Sequence, residues 1–284
     1  MLCYNGRMSS VEESILRILQ TTAIPMKVPP LYGAFHILLV AVLFLEAVTG
    51  AWCLRNCSER TRIRALAAAG WFLILTEVYK QLFFYYIVNG RVYDYWYLPF
   101  QLCSVPMYLC VLLPFTHGKI RSAFLTFMLG YTFVSAAATF VYPADLMRPY
   151  LILTLHGFLW HGILLWISLV IGFAGMADLT VRGFTRSTVL FLVLCGAATG
   201  LNILTEPYAA AAAAHGVWHA YPNAFYLNPY HLSSQPLVGT VQEAIGIPAG
   251  LLVYIAAIIL VSGLVDLAFR RRIPLEQTGR HYRQ

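Results

Sequence analysis

The chain has 284 residues, of which 60% are hydrophobic and 11% charged, with a formal net charge of +7. Soluble domains carry roughly a quarter charged residues, so this balance excludes an ordinary soluble protein and reads as an integral membrane protein. The basic residues fall in short clusters between apolar stretches rather than in a groove interleaved with aromatics, which argues against a nucleic-acid partner and for contact with anionic lipid headgroups.

Residues 1–31 hold Glu12, Glu13, Arg17 and Lys27 and lack a basic start followed by an apolar core, so a cleaved signal peptide is not expected. Within them, residues 9–24 space their apolar side chains at helical intervals, which predicts a short helix lying on the membrane surface. Apolar stretches of about twenty residues then predict spans near 32–54, 65–88, 95–115, 120–141, 149–175, 186–206 and 246–269. The expected fold class is therefore all-α: a polytopic membrane helix bundle with seven transmembrane helices over residues 32–270. Pro99 and Pro106 predict a kink in the third span, tolerable where the freed carbonyls line a cavity. Residues 207–245 read as a long non-cytoplasmic loop folding back over the bundle as a lid, and residues 271–284 as a basic tail.

The side of the bundle holding Arg55, the Arg60–Arg64 cluster, Lys119, Arg121, Arg182, Arg186 and the tail arginines far outweighs the other, which has Arg7, Arg17, Lys27, Arg91 and Arg148. Positive charge stays on the cytoplasmic side, so the N-terminus is expected outside and the C-terminus in the cytoplasm. On that topology Asn56-Cys57-Ser58 is a cytoplasmic, accidental match to a glycosylation acceptor.

Six polar or reactive side chains lie within these apolar spans: Glu77, Lys80, Cys103, His156, His161 and Asn202. Such groups are costly in hydrocarbon unless they face protein or a wet cavity, which makes each a candidate for function. At a helical rise of about 1.5 Å per residue, Cys103, His156 and His161 sit roughly 10–18 Å below the outer surface. The shared depth predicts one polar cavity, opening to the non-cytoplasmic side and enclosed by the second, third, fifth and sixth spans. Glu77 and Lys80, three residues apart, face the same way as an ion pair, either structural or catalytic. A membrane cysteine is ordinarily an inert small hydrophobe. Cys103 differs in following Pro99 and Gln101, with histidines and Lys80 at similar depth to favour the thiolate. His156 and His161 stand about 140° apart around a helix, too far to share one metal ion; His161, deeper and followed by Gly162, is the preferred functional one.

The six cysteines, Cys3, Cys53, Cys57, Cys103, Cys110 and Cys195, show neither paired metal-binding spacing nor a disulfide framework. His215 and His219 have the i,i+4 spacing of a helical metal pair but no HExxH motif, and a polar surface helix is the more ordinary reading. No metal and no cofactor is expected.

The Leu98-Pro99-Phe100-Gln101-Leu102-Cys103 element, the Glu77/Lys80 pair, His161-Gly162, and Asn202 followed by Phe225-Tyr226-Leu227-Asn228-Pro229-Tyr230 resemble the YwaF-like and transmembrane protein 164 family of integral membrane proteins, over residues 65–270. The resemblance implies a bacterial cell membrane protein akin to an animal branch of lipid acyltransferases that use a cysteine and a histidine. It casts Cys103 as nucleophile or acyl acceptor and His161 as its base, with Glu77, Lys80, Gln101, His156 and Asn202 in supporting or substrate-binding roles. Many bacterial relatives have histidine where this chain has Gln101, which cannot act as a base.

Two functions follow. One is an acyltransferase or acyl hydrolase whose partners are membrane lipids such as phospholipids, with Tyr79, Gln101 or Asn202 as donors to the oxyanion. The other is a non-enzymatic binder, or a small-solute or proton transporter, built on the Glu/Lys/His cluster. The last span has no lysine for a retinal Schiff base, and no inverted repeat is evident.

Overall fold

The structure is a computed structural model that describes residues 9–217, 219 and 221–271; Cys3, Arg7, Trp218 and most of the expected basic tail lie outside the described residues. Nine α-helices are described: α1 (Ser10–Thr22), α2 (Ala34–Leu54), α3 (Glu59–Phe83), α4 (Val105–Leu112), α5 (Gly118–Val141), α6 (Leu151–Phe173), α7 (Val181–Ala213), α8 (Pro236–Ile245) and α9 (Ile247–Arg270). Among the described residues extended pairing is limited to an isolated bridge between Pro25 and Tyr150.

The surface-helix segment forms α1, started by a capping box in which Ser9 caps the Glu12 backbone N–H and the Ser9 N–H donates to the Glu12 carboxylate at 2.9 Å. Its buried Leu19 packs with Phe83, Phe84 and Leu153, and Thr22 Oγ1 lies 2.5 Å from the Tyr79 hydroxyl. Tyr79 therefore serves the contact between α1 and α3.

Five helices, α2, α5, α6, α7 and α9, are long and apolar enough to cross a membrane, and the chain is an integral membrane protein. α5 and α6 are the central pair, with 61% and 67% of their apolar windows buried, whereas α2, α7 and α9 leave most of theirs on the outside for lipid.

The other two expected spans depart from the sequence reading. α3 has 25 residues, long enough to cross, but Glu59, Arg60, Arg62 and Arg64 crowd its start and Glu77 and Lys80 its far half. Residues 95–115 are not the kinked helix expected. They form a short 3₁₀ turn (Tyr95–Tyr97), an irregular stretch, the eight-residue α4 and a second 3₁₀ turn (Leu113–Phe115), and α4 alone rises only about 12 Å. Two prolines explain the difference. Pro99 holds Leu98 in extended conformation, and Pro106 sits in the first turn of α4, where its missing N–H costs nothing; it starts a helix instead of bending one. α4 packs against α3 at Gly70, where an added Cβ would lie 2.7 Å from the Cβ of Cys110. Arg121 and Glu59, 3.2 Å apart, hold the start of α5 beside the start of α3, so residues 84–117 return along the bundle from the far end of α3.

α7 runs beyond the expected span, with Pro207 inside it, and α8 takes the end of the expected long loop. His215 falls in the turn after α7 and His219 in irregular chain, so the expected surface helix through both is absent. His219 Nδ1 instead lies 3.1 Å from Asp94 Oδ2. Among the described residues, no group of three or more His, Cys, Asp or Glu side chains is arranged to hold a metal ion.

Candidate functional site

A cavity of about 270 Å³ is enclosed by α3, the 95–104 stretch, α5, α6, α8 and α9. Glu77, Lys80, Gln101, Cys103, His156 and His161 all border it. Asn202 does not, and α7, expected as a wall, supplies no lining residue; α5 takes that place with Ser135 and Thr139. Shared depth identified residues at one level but not which helix faces inward.

α3 presents its polar groups at i, i+3 and i+4. Lys80 Nζ lies 2.8 Å from Glu77 Oε2, and Gln81 Nε2 donates to Glu77 Oε1 at 2.7 Å and also to the Tyr97 carbonyl. One carboxylate oxygen is thus held by Gln81 and the other by Lys80. The helix then widens into a π turn, Phe84–Val88, a departure that recurs at functional sites and that nothing in the hydropathy pattern signals.

Cys103 stands in the irregular turn before α4. Its position is fixed from α6, where the indole Nε1 of Trp160 donates to the Cys103 carbonyl at 3.1 Å. The next residue, His161, has Nδ1 2.7 Å from the Gly157 carbonyl. A carbonyl only accepts, so Nδ1 carries the proton and Nε2 keeps a lone pair, the tautomer of a base. His156 Nε2 is buried without a hydrogen-bond partner. Despite the helical angle between them, both histidines border the cavity. His161 reaches toward Phe140 of α5, its ring centroid 6.4 Å away, and the His156 ring tilts against Trp160 at 5.5 Å.

The outer wall is the Asn223–Leu227 turn, in which Phe225 and Tyr226 have φ of 57° and 58°. Left-handed backbone at a bulky residue costs of order 1–2 kcal/mol, so two in a row must be held from outside. Gln101 Nε2 donates to the Asn223 carbonyl at 3.1 Å, and the Phe225 N–H donates to Gln101 Oε1 at 2.9 Å. Asn202 Nδ2 donates to the Ala224 carbonyl at 3.1 Å and its Oδ1 accepts from the Ala224 N–H at 2.7 Å. Tyr79, Gln101 and Asn202, the oxyanion donors expected from sequence, are therefore all committed elsewhere.

The turn sets Tyr226 on the cavity, its hydroxyl 3.4 Å from Asp145 Oδ2. Burial, reinforced by the Asp145 charge, keeps that phenol well above its ordinary pKa, so it remains a donor. The guanidinium of Arg148 lies 5.3 Å from the Tyr97 ring centre and 5.9 Å from that of Phe84. Asp145, Arg148 and Tyr226 were not site candidates in the sequence, where Arg148 counts only toward the charge balance and Tyr226 only within the 225–230 element, because polar residues in connections carry no burial cost. Much of the rest of the wall is apolar, including Leu98, Leu102, Val134, Val238 and Ile258, with Ser104 and Gln235 among its polar members. A thiol, two imidazoles, two cations and two carboxylates beside apolar side chains suit an amphipathic ligand. The volume is near the low end for small-molecule sites, about 300–1,000 Å³.

No curated protein and no solved structure matches the chain. The TMEM164 family matches residues 31–265, most of the chain, and the protein belongs to that family.

Proposed function

We propose that this protein is a membrane-embedded acyltransferase acting on a phospholipid or related acyl lipid, with Cys103 as nucleophile and His161 as base. The observation that carries the reading is that Cys103 and His161 border one amphipathic cavity, His161 with Nε2 in the basic form. In the proposed reaction His161 takes the thiol proton while Sγ attacks the ester carbonyl of the donor. The S–C bond forms, the C–O bond breaks, and the departing alkoxide takes the proton from His161, leaving a thioester and a lysolipid. An acceptor hydroxyl then gives its proton to His161 and attacks the thioester carbonyl; the C–S bond breaks and the thiol is restored. His156 Nε2 is available to a headgroup, while Gln101 and Asn202 hold the outer wall.

This reading places the protein in a bacterial cell membrane with its N-terminus outside and its C-terminus in the cytoplasm. α3 supplies a sixth crossing, and residues 95–115 a seventh that is only partly helical. Irregular backbone is tolerated at membrane depth where it lines a cavity, and Leu98 and residues 101–104 border this one.

The test is acyl transfer in proteoliposomes containing a diacyl phospholipid with an isotope-labelled acyl chain and a lysophospholipid acceptor. Wild-type protein should move the label, Cys103→Ala should abolish transfer, and His161→Ala should slow it by about 10²–10⁴. Undiminished transfer by Cys103→Ala would refute the mechanism. Lipid binding with no transfer by wild-type protein would put the non-enzymatic binder or transporter in its place.

A further inference from the structure

The transfer reading requires a positive group for the thiolate and for the oxyanion of the tetrahedral intermediate, and the neutral donors expected from sequence are spoken for. Tyr79 is held by Thr22, Asn202 by Ala224, and both hydrogens of the Gln101 amide point at the Trp96 and Asn223 carbonyls. Lys80 is placed differently. Its ammonium borders the cavity and stands 5.9 Å from the Trp160 ring centre, and Trp160 is the residue bonded to the Cys103 carbonyl. It also stands 5.9 Å from the Tyr97 ring. We propose that Lys80, oriented by Glu77 and Gln81, is the cation that sustains the Cys103 thiolate and the developing oxyanion, an inference that rests on the transfer reading above.

The positioning chain runs through named atoms. Gln81 holds Glu77 Oε1 and leaves Oε2 to Lys80 at 2.8 Å; the contact is an ion pair, and the ammonium brings three N–H donors to the cavity border. Lys80 is also the charge common to the electrostatic surroundings of Cys103, His156 and His161. The other titratable or charged groups facing this space are Glu77 from α3, Tyr97 from the 95–104 stretch, Tyr142 at the end of α5, Asp145 and Arg148 from the connection before α6, Tyr226 from the outer turn and Tyr254 from α9. Glu77 is the anion beside Lys80, so the ion pair presents its positive end only if the carboxylate is held back, which is the work of Gln81. The π turn at Phe84–Val88 begins immediately beyond this set.

The experiment is the pH dependence of Cys103 alkylation by a membrane-permeant maleimide, followed by peptide mapping of purified protein in detergent. Loss of Lys80 in Lys80→Met should raise the pH of half-maximal labelling by about one pH unit or more, as expected for removal of a nearby opposite charge, and Lys80→Arg should restore it. Lys80→Met leaves the Glu77 carboxylate stranded and can fail to fold. The variants Glu77→Gln and Glu77→Gln with Lys80→Met differ by the same charge without that carboxylate, and the double should label at the higher pH. Coincident profiles in both comparisons would overturn the inference. Acyl transfer measured on the same preparations separates the two proposals. A Lys80-dependent profile without transfer in wild type removes the enzyme reading, and the oxyanion role with it, but keeps the hold of Lys80 on the thiolate; transfer with a Lys80-independent profile removes the Lys80 inference alone.

Discussion

Asn202 offers the sharpest test of how the site is built. The residue is fully buried, and its amide satisfies both backbone groups of Ala224, itself 3% exposed. In Asn202→Ala one N–H and one C=O lose their partners in a place water does not reach, at about 1–3 kcal/mol each. Gln101 still holds the turn, so the strain at Phe225 and Tyr226, of order 1–2 kcal/mol per residue, is released only in small part. The expected net destabilisation is about 2–4 kcal/mol, on the scale of the larger single-residue effects. Unfolding of detergent-solubilised protein, followed by tryptophan fluorescence, measures it, and Trp96, whose ring centroid is 6.0 Å from that of Tyr226, reports on the turn. Gln101→Ala should behave similarly, and the double substitution should cost less than the two singles together, because both amides hold the same turn. A change below about 0.5 kcal/mol in Asn202→Ala, the range of ordinary surface substitutions, or strict additivity with Gln101→Ala, would refute the account of Asn202 as a clamp.

The Glu77–Lys80 pair should show the asymmetry of buried charges: Lys80→Met, which strands the buried Glu77 carboxylate, should destabilise by about 3–5 kcal/mol, Glu77→Gln, which leaves the partly exposed Lys80 ammonium, by less, and the double by less than Lys80→Met. Unfolding of the three variants under one set of conditions checks this, and three equal losses would count against a coupled pair. At the N-terminus, the Ser9 backbone N–H and hydroxyl hold the Glu12 carboxyl below its usual range. A depressed carboxylate stabilises the fold above the unfolded pKa and loses that contribution as pH falls through the folded value. Hydrogen exchange at the first turn of α1 should therefore accelerate on acidification below the ordinary carboxylate range, and Glu12→Gln should flatten the response.

Much of the architecture is written in the composition. Long apolar runs must satisfy their backbone hydrogen bonds internally once in lipid, which leaves helices as the solution for a chain of this pattern, and α2, α5, α6, α7 and α9 lie where those runs predict. The same cost rule picked out Glu77, Lys80, Cys103, His156 and His161 as residues needing shelter, and all five border the cavity. The prolines marked residues 95–115 as irregular, but hydropathy, which averages over a window, could not distinguish a bent helix from a turn followed by an eight-residue one. Only the tertiary structure decided which faces meet. Asn202 is as polar and as deep in its helix as the others, yet its amide is consumed by a turn more than twenty residues away, whereas α5 contributes to the wall through Ser135 and Thr139, which look unremarkable in sequence. Asp145, Arg148 and Tyr226 join the site because chain connections fold back across the bundle, and the left-handed pair Phe225-Tyr226 is held there by side chains distant in sequence. Helical periodicity fixes angles within one helix; the azimuth of each helix relative to its neighbours is set by packing among all of them, and a single sequence read one helix at a time does not contain it.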